Sequence, residues 1–217
     1  MSANYFFRLV NMMAGDFGSY STTYTTPGTS TIPIPKYANY VKIEAIGAGG
    51  PGAGATDPTS QSVGGGGGAF AKVNLYPLAG LTGLYIGIPD NSTVGIDGTD
   101  CFVKENSSGG TLICLAAGGD KGIKGADGGG LGSGGLGGAA ADCTGDTKIS
   151  GGNGDRNAGL AVNGGRAAGP NGLGISPAGA MANGAVNGNP YGGGGGAVTN
   201  NSYTGASGWL KLTWLES

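Results

Sequence analysis

Residues 119–138 read GDKGIKGADGGGLGSGGLGG, and glycine recurs there with a period of three: Gly119, Gly122, Gly125 and Gly128, then one residue out of phase Gly129, Gly132, Gly135 and Gly138. Three residues per turn is the repeat of the polyproline II thread, which rises about 3.1 Å per residue and forms no hydrogen bonds within itself. Glycine along one edge lets a second thread approach closely enough for N–H and C=O groups to pair between threads. Each run would span about 30 Å, and one continuous rod about 60 Å, too long for a compact domain with a radius of gyration of about 17 Å. The phase slip at Gly128-Gly129-Gly130 therefore predicts a reversal, giving two antiparallel polyglycine II arms side by side. Asp120, Lys121, Ile123, Lys124, Ala126 and Asp127, between the glycines, are expected to point outward or into small gaps. Collagen's long unbroken G-X-Y run and its proline content are missing.

The less regular glycine spacing from Gly151 to Gly196 predicts further arms. Glycine supplies 52 of the 217 residues, and each costs about 0.5–1 kcal/mol relative to alanine in regular structure. Satisfied backbone hydrogen bonds, each contributing about 0.5–1.5 kcal/mol net, must offset that cost. Around the glycine-rich stretch lie short β-biased runs at 29–35, 41–46, 69–76 and 84–88, and a hairpin of 101–104 with 111–115 about the turn residues ENSSGG. In 41–46, Val41, Ile43 and Ala45 alternate with Lys42, Glu44 and Ile46. In 209–215, Leu210, Leu212 and Trp214 alternate with Trp209, Lys211 and Thr213. Such alternation marks strands. The expected fold is all-β: a small, jelly-roll-like β-sandwich with strands in 30–116 and 209–216, carrying a polyglycine II insertion at about 118–208. Residues 26–217 form that domain. Residues 1–25 are set apart as an attachment segment, of which only the first twenty could hold a helix.

Composition excludes several functions. Histidine is absent, so Ser-His-Asp, Cys-His and His-ligated zinc chemistry cannot be built. Eleven basic residues against thirteen acids, with no basic cluster, offer no track for a phosphate backbone, so no nucleic-acid partner is expected. Arg8 and Asn11 interrupt the apolar start, which rules out a secretory signal there, and no run is long enough to span a membrane. The chain is expected to be soluble and made in a cytoplasm. Cys101, Cys114 and Cys143 have neither disulfide nor zinc spacing and read as buried free thiols. The sequence GAGGPG at 47–52 fits the dinucleotide fingerprint, but Pro51, Pro58 and the Gly64–Gly68 run forbid the helix that would hold the pyrophosphate. Asp97 and Asp100 are too few for a calcium loop. The sequons at Asn91, Asn106 and Asn200 carry no meaning without a secretory route. No catalytic, cofactor or metal residue is nominated, and the protein is not read as an enzyme.

The ordered set TSTIPIPKYANYVKIEAIGAGGPG, GGGGGAFAKVNLYPLAGLTGLYIGI, GTDCFVKENSSGGTLICLAAGGDKG and GASGWLKLTWLES resembles the glycine-rich domain of bacteriophage tail-fibre and other virion surface proteins, over about residues 25–217. That resemblance implies a β-sandwich with a polyglycine II bundle serving at a fibre tip as a host-recognising adhesin. The long shaft and large N-terminal fibre domain are missing, so attachment to other virion proteins is expected through the first twenty-five residues or the sandwich. A homotrimer on the virion surface is expected by analogy. The receptor would be a host-surface glycan or outer-membrane protein, met by aromatics backed by small polar groups. Tyr191, Tyr203, Asn189, Asn200 and Asn201, around the Gly192–Gly196 run, are one candidate set. Asp155, Arg156, Asn157, Asn163 and Arg166 are a second. The alternatives are a structural decoration or fibre-linking virion protein, for which the apolar N-terminal residues would bind a partner, and an ice-binding polyglycine II protein.

Overall fold

The computed structural model describes residues 19–56, 60–90, 93–127, 129–158, 162–169, 191–198 and 200–216. Strands among them are β1 (Ser19–Tyr24), β2 (Gly28–Pro33), β3 (Tyr40–Ile46), β4 (Gln61–Val63), β5 (Phe70–Pro77), β6 (Gly83–Ile88), β7 (Cys101–Glu105), β8 (Leu112–Ala116), β9 (Thr147–Ile149), β10 (Arg156–Ala158), β11 (Ala197–Val198), β12 (Asn201–Ser202) and β13 (Trp209–Leu215). No α-helix occurs among the described residues. A five-stranded antiparallel sheet in the order β1-β13-β3-β5-β9 packs on a four-stranded one, β2-β6-β7-β8, as a small β-sandwich.

The alternation read in the sequence fills the core between the sheets. Val41, Ile43 and Ala45 of β3 and Leu210, Leu212 and Trp214 of β13 meet Leu84, Ile86 and Ile88 of β6 and Val103 of β7. Cys101, Cys114 and Cys143 are free thiols inside this core. Burial pushes all three up from the ordinary thiol range, Cys114 to about 12, so they remain protonated and inert. Residues 19–24, assigned from sequence to the attachment segment, instead form the edge strand β1, paired with β13 from Ser19↔Leu215 to Tyr24↔Leu210. The strand SYSTTY is polar because an edge strand has little core to face, which hides it from an apolar-alternation reading. Of the rest of that segment, Thr25 follows β1 on the way to β2, and 1–18 lies outside the described residues.

The glycine-rich part is a lattice of threads. Along 64–69 each residue donates to a different neighbour and every third residue returns to the same one. Gly64 and Gly67 bond Asp155 O and Gly152 O, Gly65 and Gly68 bond Gly195 O and Gly192 O, and Gly66 and Ala69 bond Asp120 O and Ala117 O, all at 2.7–2.9 Å. Its carbonyls accept with the same period. Gly66 O and Ala69 O receive Gly50 and Gly47, Gly64 O and Gly67 O receive Gly135 and Gly138, and Gly65 O and Gly68 O receive Gly165 and Ala168. Six threads, 47–53, 117–125, 130–138, 151–155, 162–168 and 192–197, thus surround one. The ring closes on itself through Gly119→Ala48 O, Asp120→Leu136 O, Gly151→Gly138 O, Gly152→Arg166 O, Gly194→Gly165 O and Gly195→Gly50 O. A three-residue period with all bonds between threads is the pattern of polyglycine II.

Position in the lattice explains the glycine spacing. The central thread has neighbours on every side, and a Cβ at Gly64, Gly65, Gly66, Gly67 or Gly68 would lie only 1.8–2.1 Å from a backbone carbonyl oxygen. Five consecutive glycines are therefore required. A ring thread open to solvent on its outer side needs fewer: in 117–125 the inward positions Gly119, Gly122 and Gly125 are glycine, while Lys124 and Ile123 are exposed. The ring thread at Gly192–Gly196 is all glycine because its outer side is covered too, a Cβ at Gly195 lying 2.2 Å from Tyr203 O. The reversal holds, since Asp120 pairs with Leu136 and Ile123 with Ser133, antiparallel. Gly129 takes the left-handed turn there with φ 96, and Gly132, Gly135 and Gly138 face inward on the returning arm. Gly128 lies outside the described residues. The lattice also reaches beyond 118–208, because the ring thread 47–53 and the central thread 64–69 come from the two stretches that flank β4.

Candidate functional site

Thread direction defines two poles. The 47–53 thread leaves the sandwich from β3, and the 64–69 thread returns to it at β5, so residues near 53 and 64 stand about 19 Å from the sheets at 3.1 Å per residue. The far pole is an apex where the thread ends and their links meet.

Side chains tie that apex together. The Ser60 hydroxyl donates to Ala126 O at 2.8 Å, and Gly132 N–H donates to Gln61 Oε1 at 3.1 Å. The Thr56 hydroxyl donates to Asp127, and Lys124 Nζ reaches Thr56 Oγ1 at 3.2 Å and Asp127 at 3.8 Å. Gly54 N–H donates to Ser202 Oγ at 3.0 Å, and Asn200 N–H to Ala55 O at 2.6 Å. Asn200, at the tip of the β11–β12 hairpin, has φ 66, a left-handed conformation that asparagine tolerates better than most side-chain-bearing residues. Asn200 and Asn201 are both exposed.

The second candidate set largely converges on the same pole. Asp155 N–H donates to Asn163 O at 3.0 Å, and Asn163 Nδ2 donates to Asp155 Oδ2 at 3.2 Å, so adjacent threads hold the two side chains together. Arg156 and Asn157 follow on β10, opposite Val63 and Ser62. Arg166 is exposed one thread turn closer to the sandwich, on the flank. Lys124, Asp127, Asp155 and Arg156 give the apex two cations and two anions, a mixed polar surface in which these charges balance.

The first set divides. Tyr203 is half-buried near the apex, its carbonyl accepting from Gly52 at 2.9 Å. Tyr191 stands at the sandwich end of the 192–197 thread, its ring 6.3 Å from that of Trp209. Closeness in sequence placed Tyr191 with Asn200 and Asn201, but an extended thread carries its two ends to opposite poles. Asn189 lies outside the described residues. Thr56, Ser60 and Gln61 were not nominated at all; their signal is the break in glycine between 54 and 64, which marks a link between threads.

Asp97 and Asp100 have a structural task. Asp100 Oδ1 accepts Gly118 N–H at 3.0 Å, and Asp97 Oδ1 accepts Lys121 N–H at 2.9 Å. Two carboxylates three residues apart thus match two outward donors three residues apart, on a segment whose backbone also joins the lattice through Gly98 N–H to Gly119 O at 2.8 Å and Thr99 O from Ala48 N–H at 3.0 Å. Among the described residues no three His, Cys, Asp or Glu side chains form a metal-holding group.

Residues 24–211 match the family model of a glycine-rich domain. No curated protein matches the chain.

Proposed function

The chain belongs to the glycine-rich domain family, and from that premise we propose that it is a bacteriophage virion adhesin, placed at a tail-fibre tip and recognising a host-surface glycan or outer-membrane protein. The observation that carries this reading is the gathering of Thr56, Lys124, Asp127, Asp155, Arg156, Asn163, Asn200 and Asn201 at one pole of a cross-bonded lattice. Recognition needs varied side chains held still, and links between rigid threads provide both. Substituting an outward link residue disturbs none of the inter-thread backbone bonds, so the apex can change while the platform stays. The protein acts by binding, without catalysis, and assembles as a homotrimer joined to other virion proteins at the sandwich pole or through residues 1–18.

Fluorescently labelled protein applied to a panel of bacterial strains tests the proposal. Labelling of at least one strain is expected, reduced at least tenfold by a combined Arg156→Ala, Asn200→Gly and Asn201→Ala variant that keeps the wild-type melting temperature, glycine accepting the left-handed backbone at 200. Labelling of no strain, with incorporation into virions, would favour the second reading, a structural virion component. One observation supports that alternative: Ile123, Leu131 and Leu136 are 61%, 79% and 58% exposed on the 117–138 arms, an apolar flank suited to another subunit.

A further inference from the structure

Where the chain crosses from β1 in one sheet to β2 in the other, at the waist between sandwich and bundle, there is a groove of about 310 Å³. That volume is at the lower end of the ~300–1,000 Å³ range of small-molecule sites. Ile86 and Ile88 of β6 close it from behind, almost wholly buried, and its exposed lining includes Pro27 with Thr23, Thr25, Thr26 and Thr29, which carry hydroxyls and methyls side by side. Tyr24 adds a phenol, which burial holds above its ordinary pKa and therefore neutral. The crossing is stiff. Pro27 fixes its own φ, and Gly28 has φ +126, a conformation that residues with a side chain rarely adopt.

The lining selects a chemistry. No charged side chain takes part, so an ion would lose hydration without gaining a counter-charge. A wholly apolar ligand would strip water from the hydroxyls and leave them unpaired. A compact neutral polyol suits both parts, its hydroxyls exchanging hydrogen bonds with the threonines and its C–H face resting on Pro27 and the threonine methyls. We propose that this groove binds a neutral pyranose sugar. The site is separate from the apex and does not depend on the adhesin reading.

Saturation-transfer NMR on the full chain, with D-glucose, D-galactose, N-acetylglucosamine and the anionic N-acetylneuraminic acid as probes, tests it. Transfer to at least one neutral sugar is expected. It should fall at least fivefold in a Thr25→Val, Thr29→Val variant, which keeps shape and removes two exposed hydroxyls, and also in Thr26→Trp, which fills the groove. Absence of transfer, transfer to the anionic sugar alone, or equal transfer in wild type and both variants would overturn the assignment. So would loss of transfer in Asn200→Ala alone, which would place the sugar at the apex.

Discussion

Leu212 in the sandwich and Gly66 in the bundle are both at the centre of their region, and they are held by opposite means. Leu212 is fully buried among side chains from both sheets, and its contribution is the apolar area that it removes from water. Gly66 contributes by having no side chain: a Cβ there would stand 1.8 Å from Leu136 O, so the hydrogen atom is what allows its N–H and C=O to bond neighbouring threads. The sandwich is weakened by losing atoms and the bundle by gaining them. One chain therefore holds an apolar core and a hydrogen-bonded lattice, coupled where Ala167 and Ala168 at the end of a ring thread cover Ile46 and Phe70.

The largest effect expected from this contrast is at Gly66. Gly66→Val must displace the 130–138 thread and with it the bonds around the central thread, so a loss of about 4 kcal/mol or more is expected in denaturant unfolding. Leu212→Ala, in the opposite direction, should cost about 3 kcal/mol through lost burial and a cavity. Gly109→Ala, where a Cβ would meet nothing within 4 Å, is the neutral control. A Gly66→Val protein that unfolds with the wild type would break the lattice description.

A smaller effect separates hydrogen bonding from charge at the lattice edge. Asp97→Ala with Asp100→Ala leaves two outward donors of the 117–125 thread to water and should cost about 1–2 kcal/mol. Asp97→Asn with Asp100→Asn keeps a carbonyl oxygen at each position and should restore most of it. If the asparagine pair is as damaging as the alanine pair, charge rather than capping matters. Amide exchange of Gly118 and Lys121, faster in the alanine variant alone, would sharpen the distinction.

The smallest effect belongs to a single hydrogen bond between the sheets. Tyr76 on β5 donates to Glu105 on β7 at 2.6 Å. The bond pushes the Tyr76 phenol up to about 12 from its usual 10.0, and it lowers the Glu105 carboxyl, which Thr111 lowers further. A raised phenol contributes stability that is complete below pH 10 and lost as pH rises through about 12. A lowered carboxyl contributes stability that is present above its ordinary 4.5 and lost as pH falls through its folded value. Tyr76→Phe should therefore flatten both limbs of the pH dependence of the unfolding midpoint, while Gly66→Val shifts the midpoint at every pH.

Much of this was legible along the chain. Gly119–Gly138 announces its threads and its reversal through a local period, and β3, β7, β8 and β13 announce themselves through turn residues and alternation. The edge strand β1 stayed hidden because it is polar, and its place depends on β13, which lies about two hundred residues further on. The apex is half legible: Asn200, Asn201, Asp155 and Arg156 read in the sequence as receptor-contact candidates, yet nothing in their spacing says that they share a pole while Tyr191 is at the other. Asp97 and Asp100 are too few in the sequence to suggest a calcium loop, and only their register against Gly118 and Lys121 shows what they do.

The sequence by itself determined that threads of three-residue period exist and that strands surround them, because glycine spacing and side-chain alternation act over a few residues and need no partner. Only the tertiary structure decided that of the two GGGGG runs Gly64–Gly68 is the centre of the lattice and Gly192–Gly196 part of its ring, and which links meet at its apex. Inter-thread hydrogen bonds join residues tens to more than a hundred positions apart, and five glycines in a row look the same in isolation whether they meet water or six neighbouring backbones.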